Sequence, residues 1–404
     1  MPKILISGNG FDLHHYLPTT YSDFMRIANY VIANYEIDFN SIYENSFFNE
    51  DIKANYNNDV KFDLELINEF RSLASENLLF NFFKQEYEIE TWIDFETKIE
   101  YILNITFAYV NCINHQILKR PLPSLKFAAK DEHLDNNIEM IEILKLFKLL
   151  NNPPHGYSQG FTLEEKFFYK KYGSYIRVDY EKISNYFIKL LDGFIEIFNL
   201  YLQIFIQPLY KNLKVVPHNI FRRIDFHFTF NYTPTLEKLY NITGTDFLHG
   251  KTLLHNQNIV LGVNDIDKEL CTHTSFIKFT KYYQKFQKRT DYRFLSKLKG
   301  YGDFDNYEFY FWGHSLDRSD SDYINEVFDL VSGYKGTIRR IIIIYHSERS
   351  REKLLLNLYS IRTKEDIEFK IRNDELLFLK SDSSDLTEML NTDIDNNDLQ
   401  ATYI

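Results

Sequence analysis

Cysteine is nearly missing from this 404-residue chain: there are two, Cys112 and Cys271, and they form no CxxC pair. That excludes a four-cysteine zinc module and gives no basis for a disulfide scaffold, so a reducing, cytoplasmic setting is expected. Glycine is scarce as well, 14 residues against 36 Phe and 30 Tyr, a balance that favours long packed helices over a glycine-rich all-β fold. Positive charge is in deficit. A formal net charge of −11 opposes extended binding to duplex nucleic acid, where cations must replace counterions. The chain opens on an apolar strand without the basic region, long apolar stretch and small-residue cleavage site of a signal peptide, and export is not expected. The most membrane-like stretch, 186–206, carries a polar stripe through Asn185, Lys189, Asp192, Glu196, Asn199 and Gln203, the pattern of an amphipathic core helix and not of a span.

What is present is an α/β pattern. Lys3-Ile4-Leu5-Ile6-Ser7 reads as a buried first strand running into a Gly8-Asn9-Gly10 turn. Leu64, Ile67, Phe70 and Leu73, and later Met140, Ile143, Leu144 and Phe147, recur at helical spacing. Strand-like runs return at 224–230, 246–249, 259–262, 308–312, 338–345 and 367–371. The expectation is a Rossmann-like, mostly parallel sheet interrupted by a large helical insertion. Its discontinuous α/β domain covers 1–45 and 216–380, the insertion 46–215, and an acidic, loosely ordered tail 381–404. Two breaks are expected in the helical block, an internal joint at Asn151-Asn152-Pro153-Pro154-His155-Gly156 and an exit at Gln207-Pro208.

Four strand ends carry residues able to do chemistry. Gly8-Asn9-Gly10-Phe11-Asp12 could bring backbone amides to an anion. Leu13 stands where the dinucleotide fingerprint needs a third glycine, and no Gly-Lys-Ser/Thr follows, so neither the dehydrogenase motif nor the P-loop is met. Asn231, after Phe228-Thr229-Phe230, offers an amide that both donates and accepts, with Thr233 as the expected cap of the next helix. His249, before Gly250, could take a proton from water or a ribose hydroxyl. Gly313-His314-Ser315 nearly spells a nucleophile elbow, but Asp317 occupies the second glycine position. Ser315, Asp317 and Asp320 read as caps of a helix over 322–330. No HExxH occurs, and no metal site is assigned. Four such clusters suit strands that share one C-terminal crevice. Separately, Lys278, Lys281, Lys285, Lys288, Arg289 and Arg293, interleaved with Tyr282, Tyr283 and Phe286, give a basic and aromatic face of the kind that binds RNA, or simply a solvated helix.

Ile6-Ser7-Gly8-Asn9-Gly10-Phe11-Asp12-Leu13, followed by Leu17-Pro18-Thr19 and Tyr21-Ser22-Asp23-Phe24, resembles the signature of the AbiH family of bacterial phage-defence proteins. Trp92 to Glu96, Phe230-Asn231-Tyr232-Thr233, His249-Gly250-Lys251, Leu261-Gly262 and Gly313-His314-Ser315-Leu316 extend the resemblance over roughly residues 1 to 350. It implies abortive infection. The motif order is also similar to that of sirtuin-like defence NADases. That likeness implies NAD+ as substrate or ligand with no permanently bound cofactor. Gly8, Asn9, Gly10, Phe11 and Asp12 would lie on the diphosphate side and Gly313, His314 and Ser315 on the adenosine side, while Asn231 holds the ribose and the attacking water and His249 acts as base. The expected partners are a small-molecule nucleotide and a phage-derived trigger, with self-association open, nucleic acid secondary and no membrane. The alternatives are an RNA-targeting toxin and a non-catalytic nucleotide-binding phage sensor.

Overall fold

All five residues of the first strand, β1 (Lys3–Ser7), are buried, as in a strand covered on both faces. In the computed structural model, which describes residues 2–44, 54–57, 59–86, 91–119, 138–151, 162–172, 174–214, 224–264, 266, 270, 272–290, 294–295, 306–331 and 339–391, β1 lies in the middle of a six-stranded sheet. The other strands are β2 (Phe226–Thr229), β3 (Thr245–Phe247), β4 (Tyr307–Trp312), β5 (Arg339–Tyr345) and β6 (Leu376–Lys380). Their order is β3-β2-β1-β4-β5-β6, and every pairing is parallel. This is the doubly wound order in which the topology reverses between β1 and β4 and leaves a crevice at the C-terminal strand ends. Ser7 is level with Thr229 on one side and Trp312 on the other, so the residues that follow all three strands emerge on one edge.

Two of the expected strands are something else. Ile259, Val260 and Leu261 are fully buried, yet Ile259 and Leu261 pack into the helical core. Side chains complete their backbone bonding: the Gln284 amide donates to Leu261 O and accepts from Leu261 N, and Tyr232 Oη donates to Val260 O. The alternation Ile367-Phe369-Ile371 lies in a helix, Lys364–Arg372, capped by Thr363. It buries Ile367 and Lys370 while Phe369 and Ile371 are exposed, and the strand of that region is β6. A third difference concerns residues 381–391, the described part of the expected tail. Ser384–Asn391 is a helix that buries Leu386 and Leu390 against Leu5, Tyr310 and Ile342. The Lys3 ammonium donates to the carbonyls of Met389 and Leu390, a cation placed where a helix C-terminus favours one.

Between β1 and β2 stand the long helices Trp92–Lys119 and Tyr180–Tyr201. The second continues as a π turn, Leu202–Ile206, and then as a 3-10 turn, Gln207–Lys211, that takes Pro208 in its first positions. The α geometry thus ends at Tyr201, ahead of the proline, and the rod continues past Pro208. Of the expected joint at Asn151 to Gly156, Asn151 ends a two-residue strand, Leu150–Asn151, and the remainder lies outside the described residues. Tyr180–Lys211 is long and apolar enough to cross a membrane by length and composition, and 67% of its most apolar window is buried inside the fold.

Candidate functional site

Over the C-terminal edge of the sheet lies a cavity of about 450 Å³, within the range of nucleotide-sized sites. Gly8, Asn9 and Gly10 line it after β1, Asn231 after β2, His249 after β3, Gly313, His314 and Ser315 after β4, and Tyr345 and His346 at the end of β5. Tyr21, Trp92 and Phe198 roof it from the helical side. The predicted residues therefore converge, with two exceptions. Phe11 and Asp12 are buried behind the wall: Phe11 stands edge-on to Trp312, and Asp12 supports the wall from behind by bonding Thr233 and Thr235.

The glycines act differently from the expectation. Gly8 N and Gly10 N already donate to Trp312 O and Gly313 O, at 3.1 and 2.8 Å. Gly313 has φ +68°, and a Cβ there would stand 2.0 Å from Phe11 N and 2.3 Å from Gly10 C. What the glycines at these two strand ends permit is backbone contact across the β1–β4 reversal. The side chain between them is also tied, since Asn9 Oδ1 accepts from Thr19 Oγ1 at 2.7 Å. Trp92 Nε1 reaches Thr19 O, and Tyr201 Oη donates to Pro18 O. The Gly-Asn-Gly and Leu-Pro-Thr segments are thus one structural unit.

Asp12 ties the first motif to the second. Its carboxylate accepts from the hydroxyls of Thr233 and of Thr235, the latter at 2.6 Å. Thr233 is therefore not the helix cap; the helix Thr235–Tyr240 follows Pro234 without a side-chain cap. Burial raises the Asp12 carboxyl to about 7, against the lowering effect of hydrogen bonds from Thr233, Thr235 and Asn231. A carboxyl whose folded-state pKa is raised binds its proton more tightly in the folded chain, so its contribution is fully present below about 4 and is lost as pH rises toward 7. The stability of Asp12→Asn relative to wild type is accordingly expected to shift in favour of the variant between pH 5 and pH 8, by a few degrees in melting temperature. Paired thermal melts check this; a difference that does not change with pH contradicts it.

The centre of charge was only partly visible in sequence. Asp320, which precedes the helix Ser321–Leu330, makes no side-chain cap bond to it. Instead its carboxylate lies between two imidazoles, with Oδ1 3.3 Å from His249 Nε2 and Oδ2 3.4 Å from His314 Nε2. Leu316 N donates to His314 Nδ1 at 2.9 Å, which leaves the proton of a neutral His314 on Nε2, toward Asp320. Burial alone would raise the Asp320 carboxyl, but the His249 and His314 contacts and the Lys281 charge hold it well below the usual range. Burial, with the charge of Lys285, lowers His249 to about 4, so near pH 7 it is neutral. With Nε2 turned to the carboxylate, Nδ1 is the nitrogen left for a ligand. The His249 Nε2–Asp320 Oδ1 contact lacks hydrogen-bond alignment, and both atoms are buried without another partner among the described residues; a small rotation of the ring would make it the carboxylate–imidazole pair of a positioned base. Asp317, the other expected cap, holds only the preceding 3-10 turn through Ser319 N.

Glu96 and Lys281 complete this end. They form a buried ion pair at 2.7 Å that lines the cavity and an adjoining cleft of about 900 Å³. The basic face expected over 278–293 is thereby divided. Lys281 points inward to Glu96, Lys278 donates to Asn185 Oδ1, and Lys288 donates to Ile259 O. Tyr282 and Phe286 remain exposed, and Arg293 lies outside the described residues. Asp320, Glu96 and Lys281 come from distant stretches of chain, and only the Trp92 to Glu96 motif hinted that the helical block reached the site.

The family model for bacteriophage abortive infection AbiH matches residues 4–343, from β1 into β5. No curated protein and no solved structure matches the chain. The match takes in Asn231, His249, Asp320, Glu96 and Lys281, and with them most of the sheet and the roof of the cavity. The chain belongs to the AbiH family of bacteriophage abortive infection proteins.

Proposed function

We propose that this cavity binds a nicotinamide dinucleotide and hydrolyses the bond between nicotinamide and ribose, so that a triggered cell loses its dinucleotide pool before phage can spread. The observation that supports this most is the length of the cavity along the sheet edge. It runs past the ends of five adjacent strands, β3, β2, β1, β4 and β5, and at roughly 4.8 Å between strands that is about 19 Å. A dinucleotide laid across the reversal of strand order has this reach.

In this reading the C–N bond breaks with its electron pair on the nicotinamide nitrogen, which neutralises the pyridinium. The positive charge that develops on the ribose is opposed by ionised Asp320. His249 takes a proton from the attacking water as the new C–O bond forms, and Asn231 orients that water. The products are nicotinamide, ADP-ribose and a proton. Incubating the purified chain with NAD+, nucleoside triphosphates and tRNA and weighing the products tests it: nicotinamide and ADP-ribose are expected, whereas NAD+ bound tightly and recovered intact would select a nucleotide-binding sensor. The RNA-targeting alternative loses three cations of its face to internal partners. Salt-dependent retention of RNA by the purified chain is accordingly not expected, and its observation would return that reading to first place.

A further inference from the structure

The two ends of the cavity differ in charge. Of the two carboxylates that line it, Asp320 sits between His249 after β3 and His314 after β4, and Glu96 is paired with Lys281. At the other end, under β5 and the first turns of the helix Glu348–Ile361, the polar lining residues are His346, Ser350 and Lys353. The Ser350 hydroxyl is committed to the helix cap, where it donates to Ser347 O. Lys353 has no ion pair among the described residues. In this reading the adenosine ribose lies at the end opposite Asn231 and His249, and the side chains there meet its 2′ position. A carboxylate accepts from a free 2′-hydroxyl, and a cation holds a 2′-phosphate. Among the described lining residues this end offers the Lys353 ammonium, with the His346 imidazole beside it, and no carboxylate.

Resting on the dinucleotide reading above, we infer that the pocket selects a dinucleotide phosphorylated on the 2′-hydroxyl of its adenosine ribose, with Lys353 and His346 as the residues that receive that phosphate. A phosphate monoester carries about −1.5 to −2 charge near neutral pH, and the lysine ammonium meets it as a point charge with three donors.

The test is titration calorimetry with NADP+ and NAD+ on the full chain in the His249→Ala background, which keeps the ligand intact. NADP+ is expected to bind about tenfold more tightly, and Lys353→Ala combined with His346→Ala is expected to bring the ratio of the two affinities close to one. Binding of NAD+ as tightly as NADP+ overturns this inference and leaves the dinucleotide reading standing. Binding of neither overturns both. A preference for NADP+ that survives the double substitution overturns the assignment to Lys353 and His346. Both residues are solvent-exposed, so the substitutions leave the core untouched.

Discussion

His249→Ala is expected to lower dinucleotide cleavage by about 10²- to 10⁴-fold, the range lost when a positioned base is removed. Asn231→Ala is expected to lose about 10²- to 10³-fold through a misplaced water. Both changes are expected to fall mainly on kcat, because the cavity that would hold the ligand extends well beyond these two residues, past β1, β4 and β5. The effect is large because the site prepares His249 in three ways. Burial and the charge of Lys285 keep it neutral, Asp320 Oδ1 stands 3.3 Å from its Nε2, and Gly250, with φ +84°, brings its backbone so close to Asn258 that a Cβ would lie 2.0 Å from Asn258 O. Steady-state kinetics on nicotinamide release decide the matter. Full activity in His249→Ala would remove the base from the account. Asp320→Asn should fall with His249→Ala, and the two should not add, as expected of residues that act as one unit.

The second large effect concerns the fold. Gly313→Ala is expected to cost about 4 kcal/mol or more, because the new methyl would meet Phe11 N at 2.0 Å and Gly10 C at 2.3 Å, backbone atoms that cannot rotate aside. Gly244→Ala separates crowding from dihedral strain. That residue also has positive φ, +93°, but nothing lies within 4 Å of its Cβ position, so only strain of about 1 kcal/mol is expected. Denaturant midpoints of the two variants measure the difference. Equal losses would mean that the β1–β4 contact is not what holds the strand ends together, and that Gly313 is tolerated for its dihedral angle alone.

These expectations rest on features of unequal legibility in the sequence. The strand ends were readable because small or polar residues interrupt apolar runs in the same way each time: Ser7-Gly8, Phe230-Asn231, His249-Gly250 and Trp312-Gly313. A shared parallel edge brings such ends together. Asp320 was harder, since an acidic residue before a helix looks like a cap whether or not it caps, and only the position of His249 decides its role. The Glu96–Lys281 pair joins elements about 185 positions apart, which no local pattern encodes. Lys281 was read with its neighbours as a solvated face because helical spacing says nothing of which side is buried. The Ile259 to Leu261 run misled for a related reason: apolar β-branched residues mark burial, but ladder pairing needs a neighbouring backbone, and here the Gln284 amide takes that place.

The most direct test of the account is the dinucleotide content of infected cells. In cells that carry the wild-type chain, mass spectrometry after phage addition is expected to show nicotinamide dinucleotides falling, with nicotinamide and an ADP-ribose product rising, before lysis. Cells with His249→Ala should keep their pools and release phage. Pools that stay level while wild-type cells arrest, or arrest that persists with His249→Ala, would contradict it.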